Sequence, residues 1–162
     1  MKTILTAFLL LVSPAFAEEL LFSQLKDGEK AQVKLRSSGC FHDVTYHFEV
    51  LRKNGIHRFV QYKTAWRFTK GGRAVRKKII AGNVVLSSED IAGLDKLLEY
   101  YRKEKSGWCT SRSQLHVLFR YGNGTGREET LTDYSGGTEL GTPAGVLSFY
   151  QLMDRFPEKT GD

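Results

Sequence analysis

Hydrophobic and polar residues alternate along about six segments of the chain, a pattern typical of half-buried β-strands. The first two segments cover residues 31–35 and 44–50. Asn54-Gly55 follows the second segment and predicts a tight hairpin into a third strand over residues 56–66. The remaining predicted strands cover residues 74–86, 115–121 and 127–134.

Two further segments repeat their apolar residues at helical spacing. Residues 87–90 read Ser-Ser-Glu-Asp, which is typical of a helix start because a hydroxyl cap precedes acids in the first turn. The apolar repeat continues to Tyr101, and Gly107 ends this predicted helix. A second helix follows Pro143 and reaches Phe156; it is apolar on most sides, so we expect it to be well buried. The pattern predicts one α+β domain, with two helices packed on one face of an antiparallel sheet.

The N-terminus has the features of a secretory signal peptide. After a short positive start, residues 4–12 form an apolar stretch, and Ala15-Phe16-Ala17 fits a cleavage site. A buried N-terminal helix is the alternative, but it does not explain Pro14 followed by small residues at peptidase spacing. We expect residues 1–17 to be removed and residues 18–162 to form a single periplasmic or secreted domain. No apolar run reaches the roughly 20 residues that cross a bilayer, so we do not expect an integral membrane protein.

Cys40 and Cys109 are the two cysteines of the chain. An oxidising compartment favours a disulfide between them. The bond would close a loop of about 70 residues and stabilise the fold by roughly 4 kcal/mol, according to the chain-entropy model. The alternative is a free nucleophilic cysteine beside His42 or His116, but no pattern fixes an acid to complete that site. Two cysteines are too few for a four-thiolate zinc site or an iron–sulfur cluster, and we expect no cofactor.

Several short motifs occur in a recognisable order. They are Cys40-Phe41, Gly82 to Leu86, Leu86-Ser87-Ser88-Glu89-Asp90, Tyr134-Ser135-Gly136 and Pro143. This order resembles that of a family of small secreted bacterial domains of unknown function. Members of that family often carry a second cysteine soon after the first, where this chain has Val44-Thr45. The resemblance implies the fold and export, and it implies no activity.

Charge is distributed unevenly along the chain. From Val50 to Ser88 there are ten Lys and Arg and no acidic residue, although the whole chain has 24 basic and 18 acidic residues. Aromatic residues are interleaved with these cations, and the segment coincides with the predicted third and fourth strands. We therefore expect a cationic face on this hairpin. The residues expected to contact a partner are Arg58, Lys63, Arg67, Arg73, Arg76, Lys77 and Lys78.

Two interpretations of this hairpin stay open. Lys and Arg can protect an edge hairpin from edge-to-edge aggregation, without binding anything. They can also form an anion-binding surface, which we favour. Because export is predicted, an acidic protein or an anionic envelope polymer, such as a glycan or a lipid surface, is a better partner than nucleic acid.

Three function classes follow. The first is an exported, non-enzymatic binding domain, and its sharpest version is an inhibitor or immunity-type protein that binds an acidic secreted enzyme. The second is an envelope structural or assembly factor that contacts anionic glycan or lipid. The third is a hydrolase with an unrecognised site, which the adjacent Glu128 and Glu129 do not favour because they point to opposite faces of a strand.

The four histidines do not predict a metal site. His42 and His47 are five residues apart on an extended segment, so they face opposite sides of it. His57 and His116 have no neighbouring acid at the spacing of metal ligands.

Overall fold

The molecule has the predicted α+β fold. The computed structural model describes residues 19–39, 42–103, 111–135 and 143–156, without the side chains of His42, Trp66, Arg67 and Phe68. The predicted signal peptide (residues 1–17) and the predicted disulfide (Cys40 and Cys109) lie outside the described residues.

The described part of the chain contains six strands and two α-helices. They are β1 (Lys30–Gly39), β2 (His42–Lys53), β3 (Ile56–Phe68), β4 (Ala74–Val85), α1 (Ser88–Arg102), β5 (Arg112–Arg120), β6 (Gly126–Asp133) and α2 (Ala144–Met153). A 3₁₀ turn, Phe22–Gln24, precedes β1. The strands form one open antiparallel sheet in the order β4-β3-β2-β1-β5-β6.

One face of the sheet is buried under the helices. In β1, Ala31, Val33 and Leu35 are buried, while Lys34 and Arg36 on the other face are exposed. The alternation of the sequence thus separates a core face from a face that neither described helix covers, which we call the open face. The same rule holds on the neighbouring strands, where the core residues include Phe48, Val50, Phe59, Leu115, Val117 and Phe119.

The two helices pack closely against each other. A Cβ atom added at Gly145 of α2 would lie 2.4 Å from the backbone nitrogen of Leu97 in α1. Glycine is therefore required at this crossing, because any side chain would push the helices apart. From this position α2 reaches the sheet, where the ring centroids of Phe149 and Phe48 are 5.4 Å apart.

Helix ends and burial differ in part from the sequence prediction. Helix α1 ends at Arg102, because Lys103 has extended backbone with ψ 130°. Helix α2 ends at Met153, before Phe156, whose ring packs on Phe59 with centroids 5.4 Å apart. The expectation that this helix is well buried is wrong on one side, where Leu147 is 48% exposed. No helix in the described ranges has the length and apolar character to cross a membrane.

The β3–β4 hairpin extends beyond its neighbours. The pairing of β2 with β3 ends at His47 opposite Tyr62, whereas β3 and β4 remain paired to Phe68 opposite Ala74. A bulge interrupts this pairing between Gln61 and Tyr62. We call residues 63–79 the cationic arm; among the described strands, its two strands pair only with each other.

Candidate functional site

The cationic arm contains six of the seven residues predicted to contact a partner. Arg58 is the exception, since it lies in the body of the sheet between Leu51 of β2 and Val85 of β4. Arg73 precedes β4 at the turn, where Gly72 has a φ of 75° that glycine adopts readily. The predicted residues therefore lie along one hairpin, with most of them at its far end.

The alternation of β3 and β4 places these cations on both faces of the hairpin. Arg76 and Lys78 share the open face with Tyr62, while Lys63 and Lys77 share the opposite face. The side chain of Arg67 lies outside the described part of the chain. The arm therefore carries cations on both of its faces, whereas the sequence pattern predicted one cationic face.

Most of the residues predicted to contact a partner form no salt bridge in the described part of the chain. In the described part of the chain, none of the salt bridges involves Arg58, Lys63, Arg73, Lys77 or Lys78. Elsewhere arginines are neutralised: Arg36 pairs with Asp43 at 2.9 Å, and Arg102 pairs with Glu129 at 2.9 Å. The acid-free segment therefore keeps several cations that form no salt bridge with the described acids, although Arg52 within it pairs with Asp27 at 3.4 Å.

The base of the arm joins a polar network on the open face. Glu49 is 7% exposed and accepts hydrogen bonds from Gln32 Nε2 at 2.7 Å and from the Tyr62 hydroxyl at 3.0 Å. Lys30 Nζ lies 3.6 Å from the same carboxylate, and Lys78 Nζ lies 3.8 Å from the centroid of the Tyr62 ring. The network holds Tyr62 and, through it, the ammonium group of Lys78.

The network shifts the pKa values of its members. Burial opposes ionisation of Glu49, but the hydrogen bonds from Gln32 and Tyr62, together with nearby Lys30 and Lys78, lower its pKa. Burial and the hydrogen bond to Glu49 raise the pKa of Tyr62 to about 12. Glu49 is therefore ionised and Tyr62 protonated near neutral pH.

The sheet register places Lys34 between two histidines on the open face. Lys34 of β1 lies opposite His47 of β2 on one side and opposite His116 of β5 on the other. A cavity of about 140 Å³ lies among these side chains and that of Lys78. Burial lowers the pKa of His47, and the charges of Lys34 and Lys78 lower it further.

His116 has no acid at metal-ligand spacing in the sequence, but it has an acidic neighbour in the fold. Its Nε2 lies 2.7 Å from Glu128 Oε1, because β5 and β6 are adjacent antiparallel strands. The prediction missed this pair because the two residues are distant in sequence. His47 and His116 lie two strands apart, roughly 10 Å, too far to share one metal ion. The residues that the structure describes contain no group of three or more metal-ligating side chains.

Two further cavities border β3, one at its middle and one at its start. One, of about 400 Å³, separates β2 from β3 where their pairing stops, and Gln61, Tyr62 and Lys63 line it. The other, of about 660 Å³, lies beside the start of α1. In this second cavity Asp95 accepts the backbone N–H groups of Phe22 and Ser23, so this carboxylate anchors the 3₁₀ turn.

Comparison of the chain with protein-family models, curated proteins and solved structures finds no match. The resemblance to small secreted bacterial domains therefore stays a prediction. The candidate site is therefore argued from the arrangement of its side chains and not from relatives.

Proposed function

We propose that the protein is an exported, non-enzymatic binding domain that holds an acidic partner protein on its cationic arm. One observation carries this proposal. The segment from Val50 to Ser88, which contains no acidic residue, includes a hairpin that extends beyond its neighbours, and among the described residues its cations Arg58, Lys63, Arg73, Lys77 and Lys78 form no salt bridge.

The electrostatics of an arm favour association. Positive side chains on a thin ribbon are repelled by one another and attract a negatively charged surface before contact. Such complementarity raises the association rate and depends on ionic strength. Val75 in the arm and Ile80 at its base are exposed apolar side chains, and they supply area that a partner can bury.

A protein partner fits this arm better than a polyanion that offers only negative charge, because the arm contains aromatic residues as well as cations. Arginine and aromatic residues at the centre of a protein interface contribute much of its binding energy. Trp66 and Phe68 are part of β3 in the arm, interleaved with Lys63 and Arg67. An inhibitor or immunity-type protein that binds an acidic secreted enzyme is the sharpest form of the proposal. An envelope factor on anionic glycan or lipid is the alternative.

Export and the disulfide belong to the same proposal. The register sets Ser38 near the end of β1 opposite Arg112 at the start of β5. In the sequence, Cys40 comes two residues after Ser38, and Cys109 comes three residues before Arg112. Neighbouring strands lie about 5 Å apart, and this distance supports a disulfide between the segment that follows β1 and the segment that precedes β5.

The test is capture of partners from an envelope extract by immobilised protein. The variant Arg73→Glu, Arg76→Glu, Lys77→Glu should lose the captured protein, while its thermal midpoint stays nearly unchanged because exposed charges contribute little to stability. The matched control reverses three exposed cations elsewhere, Lys26, Lys96 and Arg120, and should retain the partner.

Three outcomes oppose the proposal. Equal loss in both triple variants would show that only net charge matters. A large fall in the midpoint of the arm variant would show a structural role for the arm. Co-sedimentation with cell-wall sacculi or anionic vesicles, with no captured protein, would favour the envelope factor.

A further inference from the structure

The cleft between β2 and β3 lies at the root of the cationic arm. Beyond His47 and Tyr62 the two strands separate, β2 continuing along β1 to His42 and β3 continuing along β4 to Phe68. The space between them is about 400 Å³ and is lined by residues 44–47 of β2 and residues 61–64 of β3.

The side of β3 that faces this cleft lacks a strand neighbour. In the described ladders, Lys63, Thr64 and Ala65 pair with β4 and with no residue of β2. A strand paired on one side only presents backbone N–H and C=O groups on the other, and an extended peptide can pair with them.

The side chain of Gln61 is a second, independent observation that points to a ligand in the cleft. This side chain is 8% exposed, lines the cleft, and its Oε1 has no hydrogen-bond partner among the described atoms. A buried amide oxygen without a donor is unusual and costs stability. A peptide in the cleft would bring N–H donors to this region.

The charges around the cleft select an acidic occupant. Lys63 lines the cleft itself, and Lys78 lies on the Tyr62 ring beside it. The nearby acids are already engaged, since Asp43 pairs with Arg36 and Glu49 accepts from Gln32 and Tyr62. A strand with acidic side chains would meet Lys63 in the cleft and Lys78 beside it, neither of which forms a salt bridge with a described acid.

We propose that the cleft receives an extended acidic segment of the partner protein, which pairs with the free side of β3 by strand addition. This inference rests on the proposed function and names how the partner is held. It excludes a lipid headgroup or a glycan as occupant of the cleft, because neither offers the regular N–H and C=O groups of a peptide backbone.

The probe is a short synthetic peptide that alternates glutamate with threonine. Its matched control has the same side chains but N-methylated backbone amides at alternate positions, which removes strand pairing and keeps the charge. Inorganic polyphosphate serves as a probe of charge alone. Titrations are followed by calorimetry and by the backbone amide resonances of Val44 to Tyr46 and Lys63 to Ala65.

The acidic peptide should shift these resonances and bind about tenfold more tightly than the N-methylated peptide, as expected when two backbone hydrogen bonds are lost. Gln61→Leu should weaken binding of the acidic peptide without weakening polyphosphate binding. This variant keeps a similar volume and removes a buried oxygen without a partner, so it should fold at least as stably as the native protein.

Equal affinity for the two peptides would overturn strand addition, as would amide shifts confined to the turn of the arm. The proposed function would survive either result, provided that binding still depends on Arg73, Arg76 and Lys77. If neither peptide nor polyphosphate binds, both the inference and the proposed function fail.

Discussion

The hydroxyl of Tyr62 donates a hydrogen bond to Glu49 Oε2 at 3.0 Å, and this contact ties β2 to the last β3 residue that pairs with it, directly before the cationic arm. Tyr62 is also the ring beneath Lys78. The pair thus links the stability of the sheet to the position of a cation in the proposed binding surface.

Tyr62→Phe should destabilise the fold by about 1–2 kcal/mol, because a buried carboxylate loses one of its donors. The pKa of Glu49 should rise in the variant, since this hydrogen bond helps to lower it. Chemical denaturation measures the first effect, and a carboxyl NMR titration measures the second. An unchanged Glu49 pKa would show that Gln32, Lys30 and Lys78 are enough to lower it without Tyr62.

Glu49 should also make stability depend on acid pH. Its pKa is lowered in the folded state, so its contribution is present above the ordinary pKa of 4.5 and is lost as the pH falls through the lower, folded value. Glu49→Gln should flatten the stability curve in that range. Denaturation of both proteins between about pH 3 and pH 6 gives the comparison; parallel curves would contradict the assignment.

Lys78→Ala should raise the pKa of His47, because the charge of Lys78 helps to keep the imidazole neutral. Lys77→Ala is the matched control, since Lys77 lies on the opposite face of the same strand and should leave His47 unchanged. Histidine NMR titrations of the three proteins measure the shifts. Equal shifts in both variants would mean that the faces of the arm are not distinct.

The hydrophobic alternation was sufficient to predict the sheet and its hairpins. Ala31, Val33 and Leu35 are buried as the pattern required, and Asn54-Gly55 adopts positive φ values of 54° and 74° at the predicted turn. These features depend on residues that are neighbours in sequence. Local sequence patterns are therefore enough to predict the strands and this turn.

The candidate site depended on strand order, which local patterns do not contain. Lys34 meets His47 and His116 only because β1 lies between β2 and β5. The cleft beside Gln61 exists only because the β2–β3 pairing stops early while β3 and β4 continue. The acid-free segment was visible in sequence, but its separation into two faces and a free strand edge was not.

Cys40→Ser should destabilise the protein by roughly 4 kcal/mol if the two cysteines form a disulfide, and Cys109→Ser should have the same effect. The double variant should lose no more than either single variant, since all three lack the same bond. Denaturation curves and a thiol assay on the exported protein test this. Two reactive thiols in the unmodified protein would contradict the disulfide.

Gly145→Ala should separate the two helices and destabilise the fold by about 1–3 kcal/mol, the usual effect of overpacking. The new Cβ would lie 2.4 Å from Leu97 nitrogen, an atom that cannot move independently of α1. Gly71→Ala is the control, because a Cβ atom added there would meet no described atom within 4 Å, and its effect should be small. Thermal unfolding of both variants provides the comparison.

The most direct test of the account is the affinity of the captured partner for three proteins across a range of salt concentrations. We expect the native protein and the Lys26, Lys96, Arg120 control to bind at low salt and to weaken as salt increases. The Arg73, Arg76, Lys77 variant should bind at least tenfold more weakly at low salt, with an unchanged thermal midpoint. Affinity that is independent of salt, and equal in the native and arm-reversed proteins, would contradict a binding role for the cationic arm.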